Sequence, residues 1–234
     1  MKSSKFAVFG DSIAKGIIYE DNKLKITTDN VINILQEHYG INIENLSGYG
    51  QTIKRIKDKK LIDNYIEVNK KVKSKYAIIC IGGNDCDYDW QKVGLEPLKE
   101  HEPKTPLKEY ESILGEMVNK LKSNKFKVIL CSIPPIDAER YFNNVICKLT
   151  DGNEVLKFFH GDKSVINRYQ ECYNLSILKC AKKNNCPYID IRTEFLLDKD
   201  FSSDICEDGI HLNIEGHRKM ADKIIKIIDE KLFI

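Results

Sequence analysis

Two hydrophobic patterns alternate along the chain. Strand-length stretches rich in apolar residues cover Phe6 to Phe9, Ile41 to Leu46, Tyr76 to Ile81, Phe126 to Ser132 and Tyr188 to Ile191. Between them, apolar residues return at helical spacing. Val31, Ile32, Ile34 and Leu35 follow the capping sequence Thr28-Asp29-Asn30 and end at Gly40, the start and stop signals of a helix. Ile53, Ile56, Leu61, Ile62 and Ile66 make a second helical stretch, Leu114, Met117, Val118 and Leu121 a third, and a fourth spans about Val165 to Lys183. The last helix starts near Asn213, a good N-cap, and turns Ile214, Met220, Ala221, Ile224, Ile225 and Ile228 inward.

The Tyr76–Ile81 run is apolar almost without interruption, as a strand covered on both faces must be. Strands that alternate with helices join through right-handed crossovers into a parallel sheet. The pattern therefore predicts an α/β fold: a three-layer α/β/α sandwich around a five-stranded parallel sheet. Residues 86–107, with Trp90, Pro97, Pro103 and Pro106, and residues 136–163, with Tyr141, Phe142, Phe158 and Phe159, follow neither period. They read as irregular insertions on one domain spanning 1–234, long enough to form a wall or lid of a site.

Composition narrows the function classes. A chain of 234 residues with 42% hydrophobic and 31% charged residues describes a globular protein with a substantial core. The net charge of +2 exerts no general pull on nucleic acid or anionic membrane. The lysines between Lys54 and Lys60 share their helical stretch with Asp58 and read as a solvated face. No apolar run approaches the roughly 20 residues of a membrane span. The apolar stretch after Lys2 and Lys5 is too short for an export signal. Of the eight cysteines, Cys80 and Cys131 lie inside strand-type runs, and no C-x-x-C pair occurs. They read as reduced thiols of a cytoplasmic protein, with no metal site.

The chemistry lies at the strand ends. The first strand ends at Gly10-Asp11-Ser12, the second in Asn45 to Gly50 and the third at Gly82-Gly83-Asn84-Asp85, while the loop after the fifth carries Asp208 and His211. A parallel sheet brings all these ends to one rim, where ligands bind. A serine, a glycine-rich turn, an asparagine and an Asp/His pair are the parts of acyl transfer: nucleophile, oxyanion donors, base and orienting carboxylate.

These blocks, in this order, resemble the SGNH hydrolases, also called the GDSL esterase/lipase family. The resemblance rests on Phe9-Gly10-Asp11-Ser12, Asn45-Leu46-Ser47-Gly48-Tyr49-Gly50-Gln51-Thr52, Ile81-Gly82-Gly83-Asn84-Asp85 and Asp208-Gly209-Ile210-His211-Leu212-Asn213, which span nearly the whole chain. It implies a flavodoxin-like fold, with Ser12 as nucleophile, His211 as base and Asp208 as third triad member. The oxyanion hole would comprise Ser12 N–H, Gly50 N–H and the Asn84 amide. Asn45 five residues before and Thr52 two after point to Gly50 rather than Gly48. Tyr49 departs from the pattern, which usually has a smaller residue there. The implied activity is hydrolysis of a carboxylic ester through an acyl-serine, with no cofactor and a small-molecule ester as partner. A short acyl group such as acetyl on a small polar or carbohydrate alcohol is the expected substrate. Acyl transfer to another acceptor, a lysophospholipase or a thioesterase would use the same site. A non-catalytic binding module finds no support, because no position of the set is missing. A nucleotide-binding domain would need G-x-G-x-x-G or G-x-x-x-x-G-K-[ST], and neither occurs.

Other polar residues have plainer readings. Asp11 and Asp85 suit structural tasks, fixing their turns by accepting backbone hydrogen bonds. His217 reads as a satisfied structural histidine on the last helix. Asp137, Glu139 and Arg140 read as a solvated loop. Tyr88, Trp90, Phe158 and Phe159 either form a substrate pocket or pack the insertions onto the body, and aromatic character alone does not decide between them.

Overall fold

The structure is a computed structural model that describes residues 4–233. Its centre is a parallel sheet of five strands, in chain order β1 (Lys5–Gly10), β4 (Ile43–Asn45), β5 (Lys75–Cys80), β6 (Lys127–Cys131) and β7 (Tyr188–Ile189), with spatial order β4-β1-β5-β6-β7. The register runs from Lys5 opposite Lys75 to Gly10 opposite Cys80. Alternate residues of these strands serve two cores, because successive side chains of a strand point to opposite faces. Ala7, Phe9, Ala77, Ile79, Val128 and Leu130 pack under one layer of helices, while Val8, Cys80, Cys131 and Ile189 pack under the other.

The first layer comprises α3 (Ile53–Asp58), α4 (Leu61–Val68), α6 (Leu107–Ser123) and α10 (Val165–Asn184). The second comprises α1 (Ser12–Lys15), α2 (Val31–Tyr39), α11 (Arg192–Leu196) and α12 (Ile214–Asp229). Helix α2 starts and stops where its caps predict: the Asn30 side chain accepts from Ile32 and Asn33 N–H, and Gly40 closes the helix at φ 59°. Asn213 caps α12 by accepting from Gly216 N–H. The buried face of α12 carries His217, Met220, Ala221, Ile224 and Ile227, so Ile225 and Ile228 flank the core instead of filling it.

Several local expectations are corrected. The helical stretch from Ile53 to Ile66 is two helices, because Lys60 adopts φ 51° and breaks the ladder with neither Gly nor Pro to announce it. An antiparallel hairpin, β2 (Ile17–Glu20) and β3 (Lys23–Ile26), fills a stretch for which the hydrophobic pattern predicts no element. Its turn places Asp21 and Asn22 at φ 53° and 59°, a left-handed pair that short Asp and Asn side chains tolerate. The two stretches expected to be irregular contain short helices: α5 (Trp90–Leu95) in the first, and α7 (Ala138–Tyr141), α8 (Cys147–Leu149) and α9 (Gly152–Phe158) in the second, with a π-turn at Phe142–Ile146. Each is too short to display a helical period. They share a third core, built from Tyr88, Trp90, Val93, Tyr141, Phe142 and Phe159 among others.

Candidate active site

Strand β1 has β4 on one side and β5 on the other, so the winding direction reverses between β1 and β5. In open parallel sheets that reversal opens a crevice at the C-terminal edge. The loops after β1, β4 and β5 deliver Ser12, Gly50 and Asn84 there. The loop 205–213 brings Asp208 and His211 back from the β7 side.

Ser12 is the first residue of α1 and Asp11 its N-cap, with the Asp11 carboxylate accepting from Ile13 N–H at 3.1 Å. A first helical residue has no intrahelical acceptor for its own N–H. Ser12 Oγ lies 2.9 Å from His211 Nε2, and His211 Nδ1 lies 2.5 Å from Asp208 Oδ2, with all three residues buried. With the Nδ1 proton donated to Asp208, Nε2 is the acceptor facing the serine hydroxyl. The other Asp208 oxygen accepts from Ile210 and His211 N–H at 3.0 and 3.1 Å. Burial pushes the Asp208 pKa up, but the hydrogen bond and charge of His211 together with the two backbone donors more than offset it. The net position is below the ordinary carboxylate value.

The loop that carries this pair is itself fastened. Cys206 N–H donates to His211 O, and Ile205 bridges Leu212. Gly209 adopts φ 76° with the Asp137–Tyr141 segment directly against it, and Asp137 N–H donates to Gly209 O at 3.0 Å. A side chain at Gly209 would collide with that backbone. Of the residues read as a solvated loop, Asp137 and Arg140 are therefore part of the support, whereas Glu139 is exposed as expected. Asp137 caps α7 and accepts from Ser202 Oγ at 2.8 Å, and Arg140 donates to Ile205 O at 2.9 Å.

Gly50 and Gly48 differ in a way that separates them. Gly48 N–H donates to Gly10 O, whereas Gly50 N–H has no acceptor among the described residues. Gly50 also adopts φ 57°, and Arg55 donates to its carbonyl at 2.9 Å, fixing the peptide plane. Gly50 lines the same cleft as Ser12, Asn84 and His211. The Asn84 amide donates to Gln51 O at 3.3 Å, a long contact that a better acceptor can replace. Tyr49, 60% exposed, stands at the rim of this cleft.

Two further carboxylates lie buried beneath these loops. Asp85 accepts from Ile53 N–H at 2.9 Å, tying the turn after β5 to the start of α3 and so holding the Gly50–Thr52 segment against Asn84. Burial pushes Asp85 up to about 7, against the hydrogen bond from Ile53 N–H. Asp11 is raised to about 6 by burial, against its bond from Ile13 and the charge of His211. Both bracing roles match their sequence readings. His217 does not: it is 0% exposed and its ring nitrogens have no hydrogen-bond partner. Burial, and then the neighbouring His211, lower its pKa to about 4, so the ring stays neutral.

The aromatic residues do both of the things weighed for them. Tyr88 and Trp90 belong to the third core and also line the cleft, Phe159 belongs to that core and packs on Trp90, and Phe158 lies on the outer side of Tyr88. Their anchor is Asp87, which the sequence did not single out. Its Oδ1 accepts from Trp90 Nε1 at 2.8 Å and from Tyr141 OH at 2.7 Å, and its Oδ2 accepts from Lys104 Nζ at 2.6 Å. Lys54, Arg55 and Asp58 of α3 also line the cleft, so that face is not merely solvated. Among the described residues, no group of three or more His, Cys, Asp or Glu is placed to hold a metal ion, and no helix is long and apolar enough to cross a membrane. The eight cysteines are all free.

The α/β topology and this strand-edge site define a doubly wound protein of the flavodoxin type. The profile of the GDSL-like Lipase/Acylhydrolase family matches residues 6–224, and the chain belongs to that family. It is 24% identical over 175 residues to the GDSL esterase/lipase WDL1 of Oryza sativa subsp. japonica; the match covers 73% of this chain and 59% of that longer relative. Among solved structures, a lipase/acylhydrolase from Enterococcus faecalis superposes with a TM-score of 0.65 at 16% identity, covering 99% of this chain and 97% of that one. An acetylxylan esterase from Geobacillus stearothermophilus, solved as a catalytic mutant, superposes with a TM-score of 0.64 at 21% identity, covering 97% and 96%. These likenesses establish the shared fold.

Proposed function

We propose that the chain is a serine carboxylic ester hydrolase whose nucleophile is Ser12. One observation carries the proposal: Ser12 Oγ, His211 and Asp208 form a continuous hydrogen-bonded chain in a cleft that Gly50 and Asn84 also line. A serine hydroxyl is a weak nucleophile until a base takes its proton. His211 Nε2 accepts that proton as Oγ attacks the ester carbonyl, and Asp208 steadies the imidazolium. Negative charge then gathers on the carbonyl oxygen, where Ser12 N–H, Gly50 N–H and the Asn84 amide donate to it. Collapse expels the alcohol, which takes the proton from His211. Water, deprotonated by the same nitrogen, attacks the acyl-serine, and collapse releases the carboxylic acid as Ser12 Oγ takes the proton back from His211.

For the substrate we infer a short acyl group, such as acetyl, on a polar alcohol of the carbohydrate type. The open cleft of about 830 Å³ has a mixed lining, in which Lys54, Arg55, Asp58, Asp89, Gln91 and Lys104 beside Tyr49, Trp90 and Leu149 offer a hydroxyl-rich alcohol both hydrogen-bond partners and aromatic faces. The fold shared with an acetylxylan esterase agrees with this. We take residues 1–234 as one catalytic domain and a reducing cytoplasm as its compartment, the latter in keeping with eight free thiols. The test is turnover of p-nitrophenyl acetate, with intact mass after fluorophosphonate treatment. The expected result is one adduct on Ser12 and no turnover by Ser12→Ala. Unchanged turnover in Ser12→Ala would sink the proposal.

A further inference from the structure

Beside the open cleft lies a second, much smaller cavity of about 40 Å³. Asn84, Ile210, Trp90, Tyr141 and Tyr88 line both, so the cavity opens beside the proposed oxyanion donors. Its remaining lining is largely apolar, including Ile136, Ile166 and Phe159. The polar atoms on its wall are already engaged: Trp90 Nε1 donates to Asp87 and Tyr141, and the Tyr141 hydroxyl donates to Asp87. A hydroxyl-bearing group entering here would give up its water and find few free partners, whereas a hydrocarbon tail loses nothing. At about 10–15 Å³ for each water-sized group, the cavity takes roughly three such groups.

A third space lies beyond. A surface groove of about 570 Å³ is lined by Tyr88, Phe158, Phe159, His101 and Tyr169. Tyr88 alone lines all three spaces. Its ring is held 5.3 Å from Trp90, 5.5 Å from Phe158 and 6.1 Å from Tyr169, and it is 7% exposed. With Phe159 and Tyr169, which also line both, it forms the partition between the small cavity and the outer groove.

We propose that the small cavity receives the acyl group of the ester, and that Tyr88 sets its maximum length at about four carbons, counting the carbonyl, by closing the way to the outer groove. This rests on the esterase reading and adds to it which side of the cleft takes the acid, leaving the open, polar side for the alcohol. Tyr88→Ala joins the cavity to the groove and gives a longer chain an apolar path past Phe159 and Tyr169. Tyr88→Phe keeps the partition.

The experiment measures kcat/KM for p-nitrophenyl acetate, butyrate, hexanoate and octanoate. In the unmodified protein the value falls steeply after butyrate. One methylene in an apolar pocket changes discrimination by about 10- to 200-fold. The hexanoate-to-acetate ratio is therefore expected to rise at least about 10-fold in Tyr88→Ala and to hold within about 3-fold in Tyr88→Phe. Tyr169→Ala opens the same partition from its half-exposed side and raises the ratio in the same direction, should Tyr88→Ala fail to fold. Turnover with a ratio that neither Tyr88→Ala nor Tyr169→Ala moves, or an unmodified protein that takes octanoate as readily as acetate, overturns the acyl-pocket proposal alone. A folded protein that turns over no ester and gains no fluorophosphonate adduct overturns the esterase reading and this proposal together.

Discussion

The two sides of the cleft are built by different means. On the side of Ser12, Gly50, Asn84 and Asp208–His211, the groups are placed first by their own turns and caps, with longer ties from Asp85, Asp137 and Arg140 beneath them. Asp11 accepts from Ile13 N–H two residues on, Asp208 accepts from Ile210 and His211 N–H, and Arg55 holds the Gly50 carbonyl. The opposite wall is held by side chains that come from far apart. Asp87 meets Tyr141 across 54 residues, Trp90 meets Tyr141 across 51, and Tyr88 rests on Phe158 and Tyr169. Short-range construction fixes positions to within a hydrogen bond and leaves a trace in the sequence. Long-range packing can be rebuilt residue by residue while the rim stays the same. The first suits a reaction step, the second a choice of substrate.

The sharpest way to break this contrast is to remove chemistry from the first side and look for uneven losses. Ser12→Ala is expected to lower kcat by ~10⁶ for every ester tested, since the members of such a unit fail together. Asp208→Asn removes the acceptor that fixes the His211 tautomer and is expected to cost ~10⁴ in kcat. Asn84→Ala deletes one proposed oxyanion donor, an expected loss of ~10²–10³ in kcat with KM changed far less. All three are measured across the nitrophenyl series. The loss should be uniform in acyl length for Ser12→Ala and Asp208→Asn, and dominated by one common factor for Asn84→Ala, whose side chain also borders the small cavity; a loss for Ser12→Ala or Asp208→Asn that varied with chain length would mean that these residues also shape the pocket.

The same contrast explains what could be read from the chain alone. The four blocks were legible because turn and cap chemistry is local: Asn30 with Gly40 delimit α2 and Asn213 starts α12, just as their residue types require. The break at Lys60 was not legible, because a lysine at φ 51° is imposed by the packing on either side. Nor was Asp87, whose meaning depends on Trp90, Tyr141 and Lys104 arriving beside it. Helices of three to seven residues in 136–163 are stabilised by the third core and not by their own period. Gly50 and Gly48 could be told apart by the resemblance, but the physical difference between them, a free against an engaged N–H, needs the fold.

His217 lies behind the reactive side and tests how tightly that side is packed. Its folded pKa of about 4 lies below the ordinary value of 6.5. Between those limits the unfolded chain binds the proton more readily, so stability is full above pH 6.5 and is lost as pH falls towards 4. The shift corresponds to roughly 3 kcal/mol. Asp11 and Asp85, raised above their ordinary values, act in the opposite sense, losing stability as pH rises through about 6 and 7. Subtracting the urea stability of His217→Leu from that of the unmodified protein at each pH isolates the histidine. The difference should grow against the unmodified protein from pH 6.5 to 4. A flat difference would mean that the ring acquires a partner in solution.

The smallest effect falls on the wall. Trp90→Phe keeps the ring against Tyr88 and Phe159 but removes the Nε1 donor that Asp87 and Tyr141 share. Asp87 retains Lys104 and the Tyr141 hydroxyl, so no carboxylate is left buried without a partner. The cost is then that of the shared hydrogen bond, ~1 kcal/mol, together with the small void left by the lost half of the indole, a drop of several °C in Tm for a chain of this length. Because the wall holds the proposed acyl cavity, the variant should also change kcat/KM unevenly along the nitrophenyl series, while phosphonylation of Ser12 by a small fluorophosphonate keeps its rate. That pairing is the reverse of the one expected for Asn84→Ala. If Trp90→Phe instead slowed all esters and the fluorophosphonate alike, the wall would be part of the reactive machinery, and the division between the two sides of the cleft would fail.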